Sequence, residues 1–283
     1  MVKLSKRLLA VANLVSAGNV LADVGTDHAY LPIYLVQQKM ISKAIALDVN
    51  KGPLSYADAN IKANQVARHI TTRCANGLMG IEVGEVDTVS ICGMGGNLTI
   101  RILSERMEVV KKLKELILQP QSMLVPVRKF LRQEGLTVLE EDMVFEDGKY
   151  YQVMRAVPNM RLSKEAWISK ETQVIGETQR LPEAQAIGEK QRLPEAQALS
   201  DVCVRVAESF CEVPDTLEDR YGAFLLKNRH PILQQYLQKQ QEKLEMILKN
   251  LDTKAKPETG TQRRQEVASE LEGVKKALEI MHI

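Results

Sequence analysis

Residues Asn19–Leu35 read NVLADVGTDHAYLPIYL. A short apolar run, Val20 to Val24, is closed by Asp23 and a lone glycine, Gly25; a second acid and an imidazole follow at Asp27 and His28, and an apolar helical pattern begins near Tyr30. Strand, tight turn and helix in this order form the first half of a βαβ unit. The turn then lies at the carboxyl edge of a parallel sheet, where open α/β folds bind their ligands. A loop built for pyrophosphate carries G-x-G-x-x-G there, so that the phosphates reach the backbone and the helix N-terminus. This loop keeps only Gly25 and adds acids on both sides. Negative charge repels a pyrophosphate and suits a cation.

Working outward, short β-rich runs alternate with helical patterns up to about Ala156. The runs predict strands at Val20–Val24, Ala44–Leu47, Ile70–Cys74, Thr88–Cys92, Glu115–Gln119, Thr137–Val144 and Tyr150–Arg155, with helices such as Pro53–Asn64 and Asn97–Lys112 between the first five. Such alternation specifies a parallel sheet with helices on both faces, joined by right-handed crossovers. Only FEDGKY separates the last two runs, and its Asp-Gly signals an antiparallel hairpin at the sheet edge. Five parallel strands ending in a reversed hairpin is the seven-stranded, Rossmann-like sheet of class I S-adenosylmethionine methyltransferases, not the sheet of dinucleotide dehydrogenases. Ahead of it, Leu4, Leu8, Val11 and Val15 share one face of an amphipathic helix.

After Pro158 the character changes. Residues Gly176–Leu199 hold a tandem repeat, GETQRLPEAQAI then GEKQRLPEAQAL, read as a duplicated polar surface insertion without assigned function. Farther on, Leu233, Leu237, Leu244, Ile247 and Leu251, then Val267, Leu271, Val274, Leu278 and Met281, follow heptad steps; DTKAKPETGTQRR between them holds the helix breakers Pro and Gly. The division expected is therefore a sheet domain over residues 1–158, a helical linker with the repeat over 159–216, and an antiparallel coiled-coil domain over 217–283.

Composition narrows the class. The 283 residues are 45% hydrophobic with a net charge of +2, enough for a sizeable core and too neutral for nucleic-acid binding by bulk charge; any such contact needs a local basic patch. Cys74, Cys92, Cys203 and Cys211 show no C-x-x-C spacing, which points to reduced, mostly buried thiols, no metal site and a cytoplasmic protein. No apolar run reaches the ~20 residues that span a bilayer, so no membrane partner is expected. The chain is read as a monomer.

Three more strand ends carry chemistry. Asp48, in ALDVN, lies where an acid accepts hydrogen bonds from ribose hydroxyls, or serves as a helix cap. Asn76-Gly77, in ANGL, is placed to read an adenine edge, or to make a simple turn. Cys92–Gly96, CGMGG, allows close approach to the main chain, or is a tight corner. With the acidic first loop, these suit the ammonium and sulfonium groups of S-adenosylmethionine. The rival readings are a methyltransferase of small molecules or proteins, and a non-catalytic RNA-binding protein with a degenerate pocket.

Together, DVGTDHAYLP, ALDVN, ANGL, ICGMGG, ILQPQ and RYGAFLLKNRHPILQQYL resemble the bacterial TrmK family, which methylates N1 of adenine 22 in tRNA. The resemblance covers roughly Leu4–Ala156 and Leu217 to the C-terminus; the Gly176–Leu199 repeat departs from the family pattern. It implies that Asp23 and Gly25 hold the methionyl end of S-adenosylmethionine, Asp48 the ribose, and Asn76-Gly77 the adenine, with Val49 and Gly93 also in the cofactor site. Asp27 then faces the target base, with His28 and Tyr30 beside it. Lys3, Lys6 and Arg7 on the first helix, and in the coiled-coil region Lys239 and Lys243 off the seam and Arg263 and Arg264 in the loop, are the residues expected to meet tRNA phosphates.

Overall fold

A strand that is apolar along its whole length must be covered on both faces, and this condition builds the centre of the computed structural model, which describes residues 2–159, 215–254 and 257–282. Strands β1 (Val20–Val24), β2 (Lys43–Asp48), β4 (Thr88–Cys92) and β5 (Glu115–Gln119) are almost wholly buried. With β3 (Ile70–Cys74) they run parallel, and β6 (Leu136–Glu146) and β7 (Lys149–Pro158) complete a seven-stranded sheet of order β3-β2-β1-β4-β5-β7-β6. Strand order reverses between β1 and β4, which is where a doubly wound sheet opens its ligand crevice.

Residues alternate across the sheet. Ala22, Val24, Val89, Ile91, Leu116 and Leu118 face a core covered by α4 (Gly96–Ser104), α5 (Met107–Val110) and α6 (Leu124–Gln133). Leu21, Ala46, Ile117 and Val153 face the other, covered by α1 (Lys6–Leu14), α2 (Tyr30–Gln37) and α3 (Lys51–Ala63). The hairpin turns through Asp147 and Gly148, both at positive φ (49° and 75°), as a two-residue loop between right-twisted strands requires. β7 then pairs antiparallel to β5, Leu118 opposite Met154. Both hairpin strands are longer than their apolar runs, because backbone pairing continues through the half-buried residues at their ends.

Several expectations change in detail. The helix expected over Asn97–Lys112 divides in two: Arg106 leaves the helical path (φ −139°, ψ 47°), and its guanidinium donates to the carbonyls of Leu78 and Ile81. α1 starts after Ser5, whose hydroxyl accepts from the Leu8 N–H, so Lys3 lies before the helix. Cys74 is exposed and Cys92 half-buried, against the expectation of buried thiols; Cys74 closes an edge strand. Cys203, Cys211 and the Gly176–Leu199 repeat lie outside the described residues.

The C-terminal residues form α7 (Asp215–Tyr221), α8 (Ala223–Lys227), α9 (Pro231–Lys254) and α10 (Pro257–His282). All ten seam residues contribute here: Leu233, Leu237, Leu244, Val267, Leu271, Val274, Leu278 and Met281 are buried together with Met143 of β6, and Ile247 and Leu251 pack at the margin. Ion pairs Glu245–Lys275 (3.3 Å) and Asp252–Arg264 (2.7 Å) set α9 and α10 antiparallel. The expected long break between them contracts, for Asp252–Lys254 and Pro257–Arg264 are helical. Pro257 opens α10, where its missing N–H is no loss.

A buried charge cluster fastens these helices to the sheet. Arg128 of α6, 7% exposed, donates to Glu141 (2.6 and 3.1 Å), to Gln152 (2.7 Å) and to the Asp219 carbonyl (3.1 Å). The second oxygen of Glu141 accepts the Phe224 N–H at 3.0 Å, beside Gly222, where φ is 92° and any Cβ would meet that carboxylate at 2.5 Å. Removing one partner strands a buried charge. Arg128→Met should therefore lower unfolding stability by about 3–5 kcal/mol, measured by chemical denaturation.

Candidate functional site

Asp23 closes the central strand and is 7% exposed; the Ser90 hydroxyl donates to it at 2.7 Å across the β1–β4 pair. Burial pushes its carboxyl above the ordinary range, and the hydrogen bond from Ser90 pulls it part of the way back. The chain then turns at Gly25 (φ 77°), and the N–H groups of Gly25 and Thr26 both donate to the Leu47 carbonyl at 2.8 Å. This fixes the loop over the end of β2. A Cβ at Gly25 would lie 2.1 Å from the Met94 methyl.

Past the turn, Asp27 projects outward with a side chain 72% exposed, 3.3 Å from His28 Nε2. His28 stacks on Tyr30 (centroids 5.1 Å apart, planes 15° apart) and lies 5.5 Å from the Tyr56 ring. Asn60 of α3 donates to the His28 carbonyl at 3.1 Å, and Ala29, in the left-handed region at φ 54°, starts α2. Tyr30 is 41% exposed. The loop therefore presents a carboxylate and a flat ring stack to solvent.

Across the mouth stands a second wall. Gly93 follows β4 at φ 77°, and its N–H donates to the carbonyl and to the side-chain oxygen of Gln119, both at 3.1 Å. The same Gln119 Oε1 accepts from Arg7 Nη1 at 2.8 Å, and the Arg7 guanidinium lies 5.5 Å over the Tyr151 ring. Glu146 takes the N–H groups of Lys6 and Arg7 (2.7 and 3.2 Å), anchoring the start of α1 to the hairpin. Between the walls is a cavity of about 360 Å³, lined by Arg7, Leu8, residues 23–31, Cys92, Gly93 and Gln121. That is within the ~300–1,000 Å³ typical of small-molecule sites. Burial and the neighbouring Asp23 push the Cys92 thiol upward. A further cavity, about 250 Å³, lies beside Arg128, Thr137 and Asp219, toward the opposite edge of the sheet.

The structure thus brings Asp23, Gly25, Asp27, His28, Tyr30 and Gly93 to one cavity. Asp48, Val49, Asn76 and Gly77 lie outside its lining, on the ends of the neighbouring β2 and β3 along the same edge. Asp48 accepts the Asn50 N–H at 2.7 Å ahead of α3; Gly77 (φ 54°) opens a single 3₁₀ turn packed on Ile102. Val49 and Asn76 are exposed. The basic residues part company. Lys3, Lys6 and Lys243 are exposed, whereas Arg7 is half-buried in the cavity wall. Lys239 lies 4.9 Å over the Phe145 ring, Arg263 pairs with Glu266 and Arg264 with Asp252. Sequence reasoning gave no role to Ser90, Tyr56 or Gln119; a polar residue closing an apolar strand, as in ILQPQ, was the available signal for Gln119.

A carboxyl raised by burial makes the fold bind more protons than the unfolded chain once pH exceeds the unfolded value near 3.8, so stability falls as pH rises through the folded value. Asp23→Asn should therefore raise the thermal midpoint of the ligand-free chain at pH 7, and the gain should shrink toward pH 3.8. Melting curves across pH measure it.

Comparison with known proteins adds the following. A family model described as a methyltransferase domain matches residues 4–154. The tRNA (adenine(22)-N(1))-methyltransferase of Bacillus subtilis is 40% identical over 154 residues, which are 54% of this chain and 65% of that protein. The chain thus spans a little under two thirds of that relative's length. The crystal structure of the B. subtilis m1A22 tRNA methyltransferase TrmK superposes with a TM-score of 0.72 at 28% identity, covering 98% of this chain and 100% of the other. A Streptococcus pneumoniae protein solved with S-adenosyl-L-methionine bound gives 0.69 at 30% identity, with 98% and 100% covered.

Proposed function

The chain belongs to the methyltransferase-domain family, and we propose that it transfers the methyl group of S-adenosylmethionine to N1 of adenine 22 in tRNA. The observation that carries this reading is the cavity at the switch point: one buried acid at its floor, one exposed acid at its mouth, and a stacked ring pair beside them. The substrate reading is supported by the relatives that bear that activity in their names and align over the same sheet.

The residues fit the methyl donor by charge and by space. Asp23 and Asp27 match a ligand end that carries an ammonium and a sulfonium, and Gly25 and Gly93 keep the main chain free of side chains at the cavity. Asp48 and Val49 would take the ribose, and Asn76 and Gly77 the adenine, along the open ends of β2 and β3. The donor supplies an electrophilic methyl group when bound. Adenine N1 offers a lone pair at neutral pH, so the protein's task is to align the base and exclude water. Asp27 sits at the mouth where a base enters. Exposed in the free chain, its carboxylate gains electrostatic weight once the base covers it, and it stabilises the positive charge that transfer leaves on the ring. His28 holds Asp27 from one side, and the His28–Tyr30 stack offers a face to the purine.

Adenine 22 must leave the folded tRNA to reach the cavity, which costs a few kcal/mol. Phosphate contacts from exposed Lys3, Lys6 and Lys243 offset that cost. In this reading residues 1–158 form the catalytic domain, residues 159–216 a linker, and α9 and α10 an antiparallel coiled coil that extends the RNA surface. In the same reading the chain acts as a monomer, and a tRNA substrate supports a cytoplasmic location. Among the described residues no helix is long and apolar enough to cross a membrane, and no three metal-binding side chains gather.

The deciding assay supplies labelled donor and a tRNA transcript, beside the same transcript with guanine at the target position. Label should enter the first alone; equal incorporation refutes the assignment. Asp27→Ala should keep donor affinity within about twofold by calorimetry and lower turnover about 10²–10⁴-fold. A collapse of donor affinity would instead make Asp27 a donor-binding residue.

A further inference from the structure

Among the described residues, every Phe and Tyr is buried or half-buried except Tyr30 and Tyr56, which are 41% and 61% exposed. The two flank one ring: His28 lies 5.1 Å from Tyr30 and 5.5 Å from Tyr56. Exposed apolar residues scattered singly carry no meaning, but three neighbouring rings at the rim of a cavity form one continuous flat surface. His28 and Tyr30 belong to the cavity lining; Tyr56, on α3, stands beyond it.

This row is set before anything binds. Asn60, one turn after Tyr56 on the same helix face, donates to the His28 carbonyl at 3.1 Å and ties α3 to the loop. One turn before Tyr56, Gly52 leaves the helix surface open, for a Cβ there would meet nothing within 4 Å. The first turn of α3 holds exposed Lys51 and no acid, which suits a phosphate chain passing alongside. A base extruded into a cavity leaves its neighbour in the strand without a stacking partner, and an exposed aromatic ring accepts any base because every base has a π-face. The row is narrow and flat and continues the mouth through which the target enters, which favours a nucleobase over a protein surface. Resting on the reading of the cavity as the adenine 22 methylation site, we propose that Tyr56 stacks on the nucleotide next to the target in the tRNA strand and holds the strand while the target base occupies the cavity.

The test uses the full chain, the tRNA transcript, and two transcripts made abasic at one or the other neighbour of the target. Tyr56→Ala should weaken binding of the intact transcript about five- to a hundredfold and leave S-adenosylhomocysteine affinity within about twofold. The slope of tRNA affinity against salt should not change, since no charge is removed. Tyr56→Phe, which keeps the ring, should bind as the unmodified chain does. On one abasic transcript the Tyr56→Ala loss should vanish, closing a double-mutant cycle between ring and base. The same loss on all three transcripts would overturn the proposal, as would weakened S-adenosylhomocysteine binding. If the unmodified chain methylates the intact transcript and Tyr56→Ala binds it equally well, this proposal alone falls. If the unmodified chain transfers no label, the substrate reading falls and takes this proposal with it.

Discussion

The site depends on a carboxylate held where water barely reaches. Asp23 ends the central strand of a sheet covered on both faces, and its charge is opposed by burial and relieved mainly by one hydroxyl, that of Ser90 on the adjacent strand. A buried acid with so little compensation costs folding free energy. A ligand that brings positive charge to it would remove that cost. The glycine turn, the left-handed Ala29 and the Asn60 hydrogen bond then place the next acid and its ring stack at a fixed distance from that floor.

The β6–β7 hairpin serves two sides at once. At its tip, Glu146 holds the start of α1 and Tyr151 lies beneath Arg7, so the hairpin supports one wall of the cavity. Along its length, Glu141, Asp142 and Met143 engage α6, α8, the His230 ring ahead of α9, and the C-terminal core. Cavity wall and C-terminal helices thus share one pair of strands, and among the described residues side chains of that pair join the two parts.

Much of this was legible in residues alone. Five short β-rich runs alternating with helical patterns were strands, and Asp-Gly marked the hairpin turn. The seam of α9 and α10 followed from its period. What escaped was decided by distant partners. No local signal breaks the helix at Arg106; the carbonyls of Leu78 and Ile81, brought in by the fold, do it. Pro257 reads as a breaker until one knows that a helix starts on it. Arg7 reads as a surface cation because its spacing is that of an exposed helical flank, while Gln119 and Tyr151, over a hundred positions later, decide where it points.

That separation also orders assembly. Lys6 and Arg7 precede Glu146 by 140 and 139 residues, and Arg7 precedes Gln119 by 112. During vectorial synthesis the first helix leaves the ribosome with its docking partners still untranslated, and contacts of such range form late. The pocket's oldest stretch of polypeptide is therefore its last to settle, and the nascent sheet must wait, mouth open, until the hairpin emerges to catch it.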